Sequence, residues 1–394
     1  MDVFVADWLN LILRWAHLVV GIGWIGTSFY FIALDLGLRK NPNSPSGVYG
    51  EQWQVHGGGF YHVDKYTVAP PQLPKHLVWF RWEAYLTWVT GFGLLVVQYY
   101  WNARAYLIDP TVLDISPTVA IAISIATLVL GWLIYDLICR SPIGQRPVTL
   151  SAVVFVLIVA ASYSLGQVFS GRGAFIHIGS LIGTIMAVNV FYVIIPNQRK
   201  LVAQLQAGQE PDPRYGAIGK QRSVHNNYLT LPVLLMMVSN HYPMLYSHPY
   251  SWLVVALIIV VGGLVRHLIN RHDAGDDFNA YGWAAPVAAI ALASAITLTS
   301  PQSATSSIQV ADVEALNIVH QHCTVCHARR PKHPGFVEAP KDMRIETLAD
   351  LRQYARLVRV QAVQSNAMPL GNETRMTPEE RAKLGAWLGS QGRW

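Results

Sequence analysis

Eight times in its first 299 residues the chain runs apolar for roughly twenty positions, the length that crosses a bilayer core about 30 Å thick. The stretches are 8–37, 77–101, 118–138, 148–168, 174–196, 224–240, 250–270 and 281–299. A chain patterned this way cannot close around one water-soluble core. It predicts an all-α fold, a polytopic membrane helix bundle of about eight spans. Composition agrees, with 52% apolar and 13% charged residues, against about 25% charged in a soluble domain. The deficit is uneven: residues 1–310 hold 17 Lys/Arg and 14 Asp/Glu, and residues 311–394 hold 12 and 9. A membrane domain over 1–299, a polar linker over 300–310 and a small soluble domain over 311–394 follow. Each part carries a net charge of +3, too mild for a nucleic-acid partner; the lipid bilayer is the expected one.

The basic residues instead orient the helices. Odd-numbered loops carry Arg39, Lys40, Lys65 and Lys75, then Arg140 and Arg146, then Arg199, Lys200, Arg214, Lys220 and Arg222, then Arg271. Even-numbered loops offer Arg104 and Arg172 only. Positive loops stay cytoplasmic, so both termini and the soluble domain are expected on the periplasmic side of a bacterial inner membrane. The first apolar stretch follows Asp2 and Asp7 rather than a basic region, so no cleavable signal peptide is expected.

Cys323-Thr324-Val325-Cys326-His327 in the soluble part is the attachment pattern of a c-type haem. Two thiols one turn apart reach the two vinyl groups, and the adjacent His327 ligates the iron. A Met on the opposite face raises the potential. Met368, in Asn366-Ala367-Met368-Pro369, is the choice, with Met343 and Met376 as competitors. Helical patterns over Asp312–His320 and from Thr377 to Trp387 flank the site, and the whole resembles a small class I cytochrome c. A zinc or redox Cys-x-x-Cys site is the alternative, but zinc wants four ligands and the third cysteine, Cys139, lies in the membrane part.

Ionisable groups inside membrane spans are costly and mark functional sites by default. Counted by depth, they form two layers. His17, His177, His241 and His248 lie toward the periplasm, and His17 with His177 is the candidate ligand pair for a b-type haem. Asp35, Arg81, Glu83, His225, Asn226, Asn227, His267 and the Gly57–Pro74 loop lie toward the cytoplasm. That second cluster suits a small, flat, polar anion; interhelical hydrogen bonding is the alternative role for both layers.

Three segments carry a family resemblance: Trp24-Ile25-Gly26-Thr27-Ser28-Phe29-Tyr30, Trp79-Phe80-Arg81-Trp82-Glu83-Ala84-Tyr85 with Thr87-Trp88, and His225-Asn226-Asn227-Tyr228 through Pro232. Together they resemble the bacterial membrane-bound urate oxidases, whose eight-helix domain is fused to a C-terminal cytochrome c. The resemblance implies oxidation of urate to 5-hydroxyisourate in purine breakdown. Electrons would leave through one covalent haem c to a soluble cytochrome or terminal oxidase rather than pass directly to oxygen. Site roles come from chemistry and not from the resemblance. Urate is a planar monoanion, which suits an Arg fork, and its hydroxylation needs a base beside the ring. Arg81 is then the clamp, Glu83 or His225 the base, and Asn226 or Asn227 an orienting amide. The competing reading is a quinol-linked electron-transfer module with a haem c output and no purine site.

Overall fold

A computed structural model describes residues 3–300 and 309–391. Most of the linker expected at 300–310 lies outside the described residues. The membrane part is built from α1 (Val3–Gly37), α2 (Trp82–Leu95), α3 (Pro117–Arg140), α4 (Pro147–Gly166), α5 (Gly171–Val188), α6 (Ile195–Gln206), α7 (Pro213–Val238), α8 (Ser251–Ala274) and α9 (Ala284–Thr299). The soluble part is anchored by α10 (Asp312–His322) and α11 (Pro378–Ser390).

Helix boundaries follow from local chemistry. Ser116, Ser170 and Asp212 accept hydrogen bonds from the backbone N–H groups of Val119, Gly173 and Arg214, each satisfying a donor that the first helical turn leaves orphaned. Pro117, Pro147 and Pro213 stand at helix starts, where the missing N–H costs nothing. Gly275 closes α8 in the left-handed conformation.

Among the described residues, six helices are long and apolar enough to cross a membrane: Phe4–Gly37, Pro117–Arg140, Pro147–Gly166, Gly171–Gln206, Ser251–Ala274 and Phe278–Thr299. The chain is thus a multi-pass membrane protein by length and composition. The other two expected spans are helices, α2 continued by the π-helical turn Val96–Tyr100, and α7. They are the more polar ones: α2 and its continuation carry Glu83, Thr87, Thr90 and Gln98, and α7 carries Arg214, Lys220, Arg222, His225, Asn226 and Asn227.

The expected all-α fold needs a second correction. Strands β1 (Val48–His56) and β2 (Gly59–Tyr66) form an antiparallel hairpin in the first loop. Its two-residue turn, Gly57-Gly58, takes φ of 59° and 79°, the positive values that a tight hairpin turn requires. Aromatic and β-branched residues on both arms (Trp53, Val55, Phe60, Tyr61) then give strand propensity. Lys65 of β2, together with Lys220 of α7, pairs with Asp35 at the end of α1 and ties the hairpin down.

The centre of the bundle is α5, buried almost continuously from Gly173 to Ala187 and packed against α2, α3, α4 and α7. Pro232, inside α7, lies against Gly262 of α8, where a Cβ would collide with the proline ring. Helix α1 packs only its inner side, against α2 and α8, and leaves Leu11, Trp15, Leu18 and Ile22 exposed, as a lipid-facing stripe would be. The soluble part has its own core around Leu351, Met376, Leu384 and Trp387. It docks on the 101–117 loop. Gly371, at φ 57°, sits where any Cβ would strike the carbonyl oxygens of Arg104 and Ala105. Arg375 pairs with Asp114 at 2.7 Å, and Asn372 donates to Thr111 Oγ1 at 3.4 Å.

Candidate functional site

The sequence-predicted residues of the membrane part separate into three groups. His225 and Asn226 belong to one buried polar node. His225 Nδ1 meets the Tyr135 hydroxyl at 2.7 Å. Asn189 Nδ2 donates to that hydroxyl and to Asn226 Oδ1, each at 3.0 Å, and Asn226 Nδ2 donates to the Met186 carbonyl at 2.9 Å. Asn189 opens the π-helical turn Asn189–Ile194, a widening of the helix that recurs at functional sites. Asn227 is elsewhere, accepting from Arg266 Nε, whose guanidinium lies over the Phe29 ring. Arg81 lies over the neighbouring Trp82 ring, and Glu83 lies against Gly23 of α1. Among the described residues neither Arg81 nor Glu83 forms an ion pair, and none of these contacts joins them to His225, Asn226 or Asn227.

Four residues of the node, Tyr135, Asn189, Asp136 and Arg222, were not singled out from the sequence as site residues. Asp136 and Arg222 form a buried ion pair at 2.8 Å, with Arg222 over the Tyr135 ring and Arg140 on the other carboxylate oxygen at 2.6 Å. Asp136 is a lone acid in an otherwise apolar span, and that signal could have found it. Arg222 counted only as a loop cation. Its Nε and Nη1, with Asn189 Oδ1, are buried without a hydrogen-bond partner among the described residues. Unmet donors and an unmet acceptor are what a bound water or small polar molecule satisfies.

In the other polar layer, His17 Nδ1 faces the Thr87 carbonyl at 3.0 Å and Thr90 Oγ1 at 3.1 Å, and the ring fills the space left by Gly91. His177 is fully buried with both nitrogens engaged, Nε2 with Ser124 Oγ at 2.6 Å and Nδ1 with the Gly173 carbonyl at 2.7 Å. An iron bond at either His177 nitrogen would have to break one of these.

In the soluble part, Cys323, Cys326 and His327 lie on one turn, with the His327 N–H donating to the Cys323 carbonyl at 2.7 Å. His327 Nδ1 is 2.9 Å from the Met343 carbonyl; donating there would orient the ring and free Nε2 as a ligand. Burial pushes the Cys323 thiol up to about 12 and the Cys326 thiol up to about 11, opposite to the depressed values of redox Cys-x-x-Cys pairs. Among the competing methionines, Met376 is 1% exposed in the core, and Met343 stands on the His327 side through its carbonyl. Met368 is half-buried beside the same core as Cys323, in a loop whose carbonyl accepts from Arg381 at 2.6 Å.

The helical bundle, with six helices long and apolar enough to cross a membrane among the described residues, defines a multi-pass membrane domain. The urate oxidase N-terminal family is matched over residues 3–299, three-quarters of the chain, and the chain belongs to that family. No curated protein and no solved structure matches it.

Proposed function

We propose that the chain oxidises urate to 5-hydroxyisourate and passes the electrons to a haem c on residues 311–394. The observation that carries this reading is the union, in one chain, of the urate oxidase N-terminal domain with a Cys-x-x-Cys-His turn. The reaction adds the oxygen of water to the purine and releases two electrons and two protons, so it needs an electron sink and a proton acceptor. Two groups of this chain suit the proton: His225, beside Tyr135 in the node, and Asp109, at the docking loop.

The residues present fit a haem c. Cys323 and Cys326 would hold it through thioethers, and His327 and Met368 would ligate its iron. Bound there, the haem supplies a one-electron carrier. Met343 and Arg381 support that site from outside, the first by orienting the His327 ring and the second by holding the Met368 carbonyl. The eight helices form eight spans in this reading, with α2 and α7 sheltered by the six apolar ones. Support for a periplasmic soluble part comes from its docking on the 101–117 loop, which the charge pattern assigns to the outside. A soluble cytochrome or terminal oxidase would take the electrons onward.

The test is an anaerobic optical spectrum of the detergent-purified protein before and after urate. Growth of reduced c-type bands with loss of urate absorbance is the expected outcome. A haem that ignores urate but is reduced by quinol would replace this reading with the quinol-linked module.

A further inference from the structure

We infer that urate binds at the junction between the membrane bundle and the soluble part, with Arg172 as its anion partner; this rests on the urate reading above. A cavity of about 190 Å³ lies there, walled by the 105–112 loop, the ends of α4 and α8 and the backbone of residues 366–372. Its one arginine is Arg172, at the start of α5. The guanidinium stands 5.8 Å from the Tyr106 ring centre and 5.5 Å from that of Tyr246, and donates to the Tyr246 hydroxyl at 3.0 Å. Among the described residues it has no carboxylate partner and no second acceptor. A half-buried guanidinium without a counter-charge, held between two aromatic rings, is a receptor for a planar anion.

The rest of the lining matches a purine that carries both N–H donors and carbonyl acceptors. Asp109 Oδ1 is held by the Thr111 N–H and hydroxyl at 2.9 and 2.6 Å, which leaves Oδ2 to accept a ring N–H. Its carboxylate also acts electrostatically on Arg381 of the C-terminal part. Gln167 presents an amide with both hydrogen-bonding ends free among the described residues, and Ser247 Oγ is buried with no partner.

Position favours this cavity over the node. Tyr135 in the node and Asp114 at the docking loop are separated by about 20 residues along and before α3, roughly 30 Å at 1.5 Å per residue. Electrons from the node would have to cross that depth to reach the soluble part. Those from the junction start against the backbone of the loop that carries Met368.

The experiment is equilibrium dialysis of radiolabelled urate against the fully reduced, anaerobic holoprotein, in which no turnover occurs. Arg172→Gln should weaken binding roughly ten- to a hundredfold, the loss expected for one charge-assisted contact. Asn366→Trp fills the cavity from an exposed position on the soluble part and should abolish binding with the haem spectrum intact, which keeps the test valid if the Arg172 variant does not fold. In turnover, Arg172→Gln should raise KM more than it lowers kcat. Parent-like binding in both Arg172→Gln and Asn366→Trp, with urate still reducing the haem, would overturn the junction site and leave the urate reading standing. No urate binding or haem reduction in the parent would overturn both.

Discussion

The interiors of the two parts differ in polar content: the apolar core of the bundle also holds buried cations and amides that the core of the C-terminal part largely lacks. At the centre of the bundle, Arg222, Arg266, His177, Asn189, Asn226 and Asn227 are all at most 6% exposed. The core of the soluble part is Ile318, Val319, Leu351, Met376, Leu384, Trp387 and Leu388, with Arg381 at its edge. The solvent explains the contrast. In water, hydrophobic burial drives packing. In lipid it does not, so helices are held by close packing and by polar ties whose alternative is an unsatisfied group in hydrocarbon. The same kind of substitution should therefore cost the two parts differently.

The largest effect is expected where a polar tie is cut on one side. Asp136→Ala leaves Arg222 buried without its partner, a loss of about 3–5 kcal/mol, read as a lower unfolding temperature of the bundle in detergent. Restoring an apolar pair with Asp136→Ala plus Arg222→Met should recover most of it. A single variant that melts like the parent would break the contrast.

In the soluble part, methionine positions separate packing from ligation. Met376→Ala should cost about 2–5 kcal/mol, as deletion of a buried side chain does, and leave the haem potential close to the parent's. Met368→Ala should keep the covalent haem and lower its potential, measured by redox titration. An unchanged potential in the second variant would remove Met368 as ligand.

Docking comes next. Gly371→Ala places a Cβ against two carbonyl oxygens and strains a left-handed residue, a cost of about 1–3 kcal/mol. Both parts should stay folded while proteases gain access to the 101–117 loop. Equal protection of that loop in parent and variant would count against the interface.

The smallest effect is at the start of α11. Thr377 and Glu380 cap it reciprocally, the Thr377 N–H donating to Glu380 at 2.8 Å and the Glu380 N–H donating to Thr377 Oγ1 at 3.2 Å. Burial opposes ionisation of Glu380, but hydrogen bonds from Thr377 and the His322 imidazole hold it below the ordinary carboxylate range. The stabilisation is thus complete above that range and lost as pH falls through the lowered value. Glu380→Gln should cost about 1 kcal/mol near neutrality and flatten that acid limb in a pH series of thermal melts.

The Cys-x-x-Cys-His turn was readable in advance because its residues are neighbours in the chain. Cys323, Cys326 and His327 share one turn, and α11 carries its own capping box. The hairpin was legible in principle from Gly57-Gly58 between aromatic arms, yet in a membrane chain the loop composition hid it. The node was half legible: His225 and Asn226 stood out on a polar helix, whereas Asp136 and Asn189 each sat singly in apolar runs. Arg172 looked like an ordinary loop cation, because nothing near it in the chain announces Tyr246 or the 366–372 loop.

The sequence by itself determined the separation into a lipid-facing bundle and a water-facing unit, the positions of the long helices and the Cys-x-x-Cys-His turn, since each rests on composition, period or short spacing. Only the tertiary structure decided which polar groups share a space. Asp136 meets Arg222, Asn189 meets Asn226, and the junction cavity draws on the 105–112 loop, α5, Tyr246 and the 366–372 loop. Those partners lie tens to hundreds of residues apart, and no local preference specifies such contacts: helix packing brings them together.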